Sequence, residues 1–181
     1  MASAFKLSGT PGQTVDRKLY LVYGNAGTYD SPEWSVMGKR VEDSSAEEDW
    51  SEESITDILG DTYTNMKSPI TTQSFDSCPI DPGDKYQAKL TESYIIDRNA
   101  QALVSQDLLR VHLYLTDGNG NAFAERFPAS MVKPTGLGGE GGGNLTMPVD
   151  VTFGGTREKG YVAIPDGPHA EITFNKGEPE Y

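Results

Sequence analysis

The stretch Leu109-Arg-Val-His-Leu-Tyr-Leu-Thr116 alternates strictly between two kinds of side chain. One side is apolar and the other is polar or aromatic: Leu109, Val111, Leu113 and Leu115 against Arg110, His112, Tyr114 and Thr116. Successive strand residues point to opposite faces of a sheet, so this period of two predicts a half-buried β-strand with the apolar side inward and His112 outward. Asp117-Gly-Asn-Gly-Asn121 then predicts a turn into a hairpin partner at 122–127.

Shorter strand patterns lie on both sides of this strand. They are expected at 19–23, 34–41, 54–66, 70–80, 145–153, 160–164 and 170–174. Twenty glycines and 11 prolines among 181 residues divide the chain into many short elements, which favours β structure with long loops. The run 136–143 holds six glycines and predicts a mobile loop, because it has too little side chain to pack.

One helix is expected, at about 82–97. Asp81-Pro82-Gly83-Asp84 is typical of a helix start, since an aspartate accepts bonds from free first-turn amides and proline at the first position loses no donor. Tyr86, Leu90 and Tyr94 then recur every four residues and form one apolar stripe. Asp97-Arg98-Asn99 is expected to end the helix, and 100–103 could form a further turn.

Charge and composition exclude several classes of function. Lysine and arginine number 15 against 27 acidic residues, and the resulting net charge of −12 disfavours tight binding of DNA, RNA or anionic membranes. The single Cys78 cannot close an intrachain disulfide, and residues 1–7 lack the apolar run of a secretory signal, so synthesis in a reducing cytoplasm is expected. Apolar runs are too short to span a membrane.

The most unusual segment is an acidic run at 42–53, which contains no lysine or arginine. It is either a solvated loop or a loop or hairpin arm that orders against a neighbouring subunit. Trp50 is consistent with the second interpretation, because an aromatic side chain in a hydrophilic segment gains most by burial in a partner. The candidate interface residues are Glu42, Asp43, Glu47, Glu48, Asp49, Trp50, Glu52 and Glu53.

No motif in the chain points to catalysis, a cofactor or a metal. The turn at 117–121 resembles the first half of a calcium loop but lacks the later glutamate, so a plain hairpin turn is favoured. His112 and His169 lie in no nucleophile motif and no zinc spacing. Cys78 is expected to be a small core residue rather than a nucleophile. We therefore expect a protein that is not an enzyme.

The order of elements resembles the major tail (tail tube) proteins of long-tailed, non-contractile bacteriophages. Trp34-Ser-Val-Met-Gly38, followed by the acidic excursion to Asp57-Ile-Leu-Gly60, is similar to the long β-hairpin arm of that family. The segment 73–84, the helix and the strand at 109–115 resemble its central strand, helix and strand. Val149-Asp-Val-Thr-Phe-Gly-Gly155 with Gly160-Tyr-Val-Ala163 resembles its closing hairpin. The match rests on order and spacing over roughly residues 15–175.

The resemblance implies a single mainly β domain over 1–181, a β-sandwich or partly closed barrel flanked by one α-helix, with the acidic arm reaching between subunits. Six copies would form a ring, and stacked rings would form a tube around a tape-measure protein, bounded by tail terminator and tail tip proteins. Such a virion protein would be made in the host bacterial cytoplasm. DNA would pass through an acidic lumen without tight binding, because carboxylates repel phosphates.

Two other functions remain open. A β-sandwich module that binds carbohydrate or a receptor would present exposed tyrosine and tryptophan as a stacking platform, but the aromatic residues are scattered along the chain. A hydrolase would need two carboxylates at a defined separation with shifted pKa values, and the spacing predicts none.

Overall fold

The computed structural model describes residues 4–179. Residues 1–3 and 180–181, the ends of the single domain expected over 1–181, lie outside the described residues. The strands of the described part are β1 (Lys6–Leu7), β2 (Tyr20–Asn25), β3 (Trp34–Val36), β4 (Ala46–Asp49), β5 (Glu53–Thr56), β6 (Thr62–Asn65), β7 (Ile70–Phe75), β8 (Gln106–Thr116), β9 (Asn121–Pro134), β10 (Val149–Thr152), β11 (Glu158–Ala163) and β12 (Asn175–Lys176). The mainly β prediction is confirmed.

The main sheet is antiparallel and runs in the order β3-β2-β8-β9-β10-β7-β4, while β5 and β6 form a separate pair. β9 is the longest strand and joins two halves of the main sheet. Its first part pairs with β8 and β11, and residues 131–134 pair with β10. The sheet is not closed into a barrel, because its path ends on β3 and β4.

A bend in β9 separates these halves. The β8–β9 register shifts between the pairs Gln106–Ser130 and Leu108–Phe127. Gly154 and Gly155 pass directly over the bend, where a Cβ atom on Gly154 would lie 2.7 Å from the carbonyl oxygen of Ala129. The glycine pair therefore permits the close backbone approach that lets β10 and β11 follow the bend.

Two hydrophobic clusters cover opposite faces of the first half of the sheet. One lies between the two halves and the helix, and its members are Val22, Phe75, Tyr86, Leu90, Leu108, Phe127, Val132, Met147, Val149, Val151 and Phe153. The other is built from Tyr23, Val36, Leu109, Val111, Ala122, Ala124 and Val162. The two halves thus pack face to face, as in a sandwich.

The period-two prediction for β8 is correct for the strand and its apolar face, but wrong for the outward position of His112. Leu109 and Val111 are fully buried, and His112 is buried as well, with 9% of its surface exposed. The second half of the sheet covers the side of β8 that carries Arg110 and His112. The strand is therefore covered on both faces, with polar groups on one of them.

Helix α1 (Lys85–Thr91) occupies the predicted region and starts three residues later than 82. The Asp84 side chain is the actual N-cap and accepts hydrogen bonds from the backbone N–H groups of Tyr86 (3.0 Å) and Gln87 (3.1 Å). Asp81 instead begins a turn, in which its carbonyl oxygen accepts from the N–H of Asp84 at 3.0 Å. A π-helical turn (Glu92–Ile96) and the short α2 (Ala100–Leu103) follow.

The helix packs on β2 through a glycine. A Cβ atom on Gly24 would lie 2.3 Å from ring atoms of Tyr86, whose side chain is 2% exposed. The Lys89 ammonium group also donates to the carbonyl oxygen of Asn25 at 2.8 Å. Helix and sheet are thereby fixed against each other by both apolar and polar contacts.

Several predicted boundaries differ from the structure. β3 ends at Val36 rather than continuing to 41, and the final short strand lies at Asn175–Lys176 rather than at 170–174. The glycine-rich stretch 136–143 is mostly exposed, and it contacts the chain again through a β-bridge between Gly138 and Thr146. Within residues 4–179, no helix has the length and apolar character to cross a membrane.

Candidate assembly surface

A β-hairpin made of β5 and β6 stands apart from the main sheet. We call residues 50–67 the arm. Four residue pairs join the strands, from Glu53–Asn65 to Thr56–Thr62, and every residue of both strands is exposed. At its base, the Lys67 N–H donates to the Trp50 carbonyl oxygen at 3.0 Å, so the two chain segments leave the body side by side.

The tip of the arm is a tight turn organised by Asp57. Its side chain accepts hydrogen bonds from the N–H groups of Leu59 (2.8 Å) and Asp61 (3.0 Å). These backbone bonds, with that from Asp61 contributing most, hold the pKa of Asp57 below its usual range despite a smaller opposing effect of desolvation. Gly60 adopts φ +87°, a left-handed conformation that suits glycine in a short hairpin loop.

The turn presents two large apolar side chains to solvent. Ile58 is 103% exposed and Leu59 is 81% exposed, so neither has contact with an apolar surface of its own domain. Such residues at a loop tip are unusual, because polar residues satisfy the same turn geometry at no cost in apolar hydration. Exposed apolar groups of this kind are typical of interaction sites.

The two faces of the arm differ. Ile55 and Tyr63 lie directly opposite each other and about half of each side chain is exposed. The other face carries hydroxyl groups, with contacts between Ser54 and Thr64 at 3.1 Å and between Thr56 and Thr62 at 3.2 Å. One face and the tip can therefore bury apolar surface, while the other face suits contact with water.

The base of the arm is attached to the body through β4, which pairs with β7 at the edge of the main sheet. Glu48 accepts a hydrogen bond from the Thr71 hydroxyl at 2.8 Å, and the Arg110 guanidinium donates to the same hydroxyl at 3.1 Å. Arg110 also lies 3.5 Å from the Glu48 carboxylate. The strand that leads into the arm is thus linked to the polar interior of the fold.

The eight candidate interface residues are all exposed but are not all on the arm. Glu42 and Asp43 precede β4, and three lie on β4: Glu47, Glu48 and Asp49. Trp50 begins the arm, Glu52 follows, and Glu53 starts β5. The hairpin therefore extends beyond the predicted stretch 42–53, whose middle is an edge strand of the main sheet.

The resemblance placed Asp57-Ile-Leu-Gly60 at the end of the arm, but apart from Trp50 no apolar residue of this surface was predicted to be an interface residue. The residues concerned are Ile55, Ile58, Leu59, Tyr63 and Met66, each at least 49% exposed. A local signal was present, because Asp57 and Gly60 flank the turn and short alternating segments lie on both sides of it.

A second polar group of residues is buried inside the fold. The Glu125 carboxylate accepts from Arg110 (Nη2, 2.7 Å), lies 3.0 Å from His112 Nε2 and is ion-paired with Arg157. Burial alone raises the pKa of Glu125, but the hydrogen bonds from His112 and Arg110 and the charge of Arg110 outweigh it and lower that pKa to about 2. Glu125 is therefore ionised at neutral pH and acts as a fixed anion.

The other candidate residues from the sequence lie in structural contacts or at the surface. Cys78 is buried, as expected; burial raises the pKa of its thiol, and the Gln87 amide donates to its sulfur at 3.4 Å. Asp117 forms the hairpin turn, accepting from the N–H groups of Asn119 (2.8 Å) and Asn121 (3.0 Å). His169 is exposed. Among residues 4–179, no three histidine, cysteine or acidic side chains are grouped to hold a metal ion.

Comparisons with known proteins do not establish a family. No protein-family model matches the chain, and neither does any curated protein sequence. A sheath/tube terminator of an extracellular contractile injection system, PVC, in the extended state, is similar at 11% identity; the match covers 83% of this chain and 99% of that chain, with a TM-score of 0.47. The sheath-tube complex of the same system, also extended, matches at 11% identity over 92% of this chain and 95% of that chain, with a TM-score of 0.43. Both neighbours come from the same injection system, but at these values the likeness decides neither family nor function.

Proposed function

We propose that this chain is a structural, non-catalytic subunit of a phage-type tail tube, in which copies associate into rings and the rings stack into a conduit for DNA. The observation that carries this proposal is the arm, whose apolar tip has no partner within its own domain. The order of sequence elements, which resembles that of major tail proteins, supports the same assignment. The same resemblance implies rings of six copies, a tape-measure protein inside the tube, and terminator and tip proteins at its ends.

The arm gains most from contact with another subunit. Complete burial of a leucine or isoleucine side chain contributes roughly 1.5–3 kcal/mol, so Ile58 and Leu59 together offer about 3–6 kcal/mol. Association costs an estimated 4–15 kcal/mol in lost translational and rotational freedom, so one tip contact alone gives weak dimers. In a closed ring each added contact is intramolecular, and the effective concentration strengthens the whole assembly.

The isolated position of the β5–β6 hairpin also favours contact with another subunit. A two-stranded hairpin is at best marginally stable in water when it stands alone. The arm pairs only with itself within the described residues, so docking on a neighbour would order it further. Acidic residues line the adjacent edge strand β4, and charge on an edge strand opposes unspecific pairing. The surface is thus suited to selective association.

The net charge fits a conduit for DNA. With 27 acidic and 15 basic residues, a lumen built from this chain repels phosphates and releases no condensed counterions on contact. DNA can then pass without being retained.

Electron microscopy of an arm deletion tests the proposal. Removal of 44–52, the stretch suggested by composition, would also remove β4 and Glu48 from the main sheet. Replacement of residues 51–66 by Asn-Gly is cleaner, because Trp50 and Lys67 already lie within hydrogen-bond distance. We expect rings or tubes from the wild type by negative stain, and a folded monomer from the deletion by sedimentation and circular dichroism.

The matched control shortens another exposed segment, 139–143 of the glycine-rich loop, and should leave assembly unchanged. Tubes of normal length from the arm deletion would refute the role of the arm. A wild type that stays monomeric at high concentration and binds a glycan array would instead favour the carbohydrate-binding module.

A further inference from the structure

Arg40 occupies a backbone conformation that normally belongs to glycine. The Val41 N–H donates to the Gly38 carbonyl oxygen at 3.1 Å, which places Lys39 and Arg40 at the centre of a tight turn. Arg40 has φ +61°. Residues with a Cβ atom are disfavoured in this left-handed region, and glycine would be more stable at this position of the turn. Within residues 4–179 Ser51, Ser77 and Arg98 also have positive φ, so the position of Arg40 in a pocket, rather than its backbone conformation, distinguishes it from them.

The Arg40 side chain lines a surface pocket of about 340 Å³, together with Lys39, Pro79, Asp81 and His169. The Lys39 ammonium group is already balanced within the fold, since it lies 3.6 Å from the Asp81 carboxylate and 3.7 Å from that of Asp84.

Arg40 differs from Lys39 in this respect. In residues 4–179 its guanidinium takes part in no hydrogen bond within 3.5 Å and no ion pair within 4 Å. At longer range Arg40 acts on Asp81, whose pKa is lowered chiefly by the hydrogen bond from the Gly83 N–H and, to a smaller extent, by Lys39 and Arg40. Among the described residues, the Arg40 guanidinium therefore has no hydrogen-bonded or ion-paired partner in the pocket and can meet an incoming anion.

Unpaired acid is abundant elsewhere on the chain. Of the seven carboxylates at 42–53, only Glu48 lies within 4 Å of a cation in the described residues, where it meets Arg110. Glu52 and Glu53 at the start of the arm are exposed. Arginine and carboxylate groups form strong, directional, charge-assisted pairs, often with two parallel hydrogen bonds.

We propose that the pocket at Arg40 receives the Glu52–Glu53 carboxylates from the arm of a second copy of this chain. The inference rests on the proposed function and deepens it, because it names the surface on which the arm docks. A neighbouring subunit supplies the acidic segment at high effective concentration, whereas a net charge of −12 repels free nucleic acid from the same pocket.

Two variants that each keep one side of the contact provide the test. Arg40→Gly removes the guanidinium and suits the left-handed backbone, so its fold stability should be unchanged or higher. The chain with residues 51–66 replaced by Asn-Gly lacks the carboxylates but keeps the pocket. We expect Arg40→Gly to weaken self-association about tenfold or more. At a concentration at which each variant alone sediments as a monomer, we expect their mixture to form a 1:1 complex by analytical ultracentrifugation.

Arg98→Gly is the matched control, because Arg98 is a second exposed arginine at positive φ (+50°) and lies outside the pocket. It should assemble like the wild type. Charge exchange provides a rescue: Arg40→Glu alone and Glu52→Lys with Glu53→Lys alone should each lose assembly, and the chain that combines all three should regain it.

These outcomes distinguish failure of the proposed Arg40 contact from failure of the tail-tube proposal. Normal tubes from Arg40→Gly would overturn the contact and leave the tail-tube proposal standing. A 1:1 complex from the mixture would support the contact even if the wild type formed no tubes. If Arg40→Gly instead lost binding to a fluorescent DNA duplex and assembled normally, the pocket would be a nucleic-acid site and the proposal would be wrong.

Discussion

Replacing Glu125 with glutamine should remove much of the acid sensitivity of this fold. The pKa of Glu125 falls from 4.5 to about 2 in the folded protein. Because its side chain is only 3% exposed, solvent screening is small, and a shift of this size corresponds to about 3 kcal/mol of stability at neutral pH. The folded-state pKa lies below the unfolded value, so this contribution is complete well above pH 4.5 and is lost as the pH falls toward 2.

Urea unfolding at pH 7 and pH 3 measures the effect. Linkage gives a loss of about 2 kcal/mol at pH 3 from this one group in the wild type. Glu125→Gln should lack that part of the loss and should be roughly 2–3 kcal/mol less stable at pH 7, because Arg110, whose side chain is only 11% exposed, loses its closest counter-charge. Glu140→Gln, in the exposed glycine-rich loop, is the control and should behave like the wild type.

The test compares the loss of unfolding free energy between pH 7 and pH 3 in the wild type with the same loss in Glu125→Gln, since other carboxylates also titrate in this interval. If wild type and Glu125→Gln lose the same free energy of unfolding over that interval, within about 0.5 kcal/mol, Glu125 is not the source of acid sensitivity. A variant as stable as the wild type at pH 7 would show that Arg110 needs no anion at that position.

The other predictions concern a glycine, a helix cap and the arm. Gly24→Ala should lower the free energy of unfolding by about 1–3 kcal/mol, because the new Cβ atom would lie 2.3 Å from the buried Tyr86 ring, and unchanged urea unfolding would contradict this packing. Asp84→Ala should cost about 1–2 kcal/mol through two lost cap bonds, with a matching loss of thermal stability by circular dichroism. Ile58→Ser with Leu59→Ser should leave monomer stability within about 0.5 kcal/mol yet reduce assembly by light scattering, and a clear drop in melting temperature would place the tip on its own domain.

The strand β8 shows how far a local pattern reaches. Alternation at 109–116 identifies the strand and its apolar face, because side-chain direction depends only on the backbone. It cannot reveal that Arg110 and His112 are covered, since this depends on Glu125 across the hairpin and on strands that lie distant in sequence. Burial of polar residues depends on partners, and partners are set by topology.

The arm shows a different limit. The composition predicts an interface at 42–53, where charge is most concentrated, whereas the exposed apolar surface of the arm lies mainly at 55–66. The β5 and β6 strands are four residues long and rich in serine and threonine, so their pattern is weak beside that of β8. Exposure of Ile58 and Leu59 can be recognised only once the fold shows that the domain offers them no core.

The long strand β9 also has a consequence for how the protein opens. Its amide groups belong to both halves of the sheet, paired with β8 and β11 before the bend and with β10 after it. Neither half can separate without breaking the ladder that the other half shares, so the amides of β9 should exchange with solvent hydrogen only through global unfolding. Because the arm pairs only with itself within the described residues, it can open without breaking this ladder, whereas the body opens as a single unit.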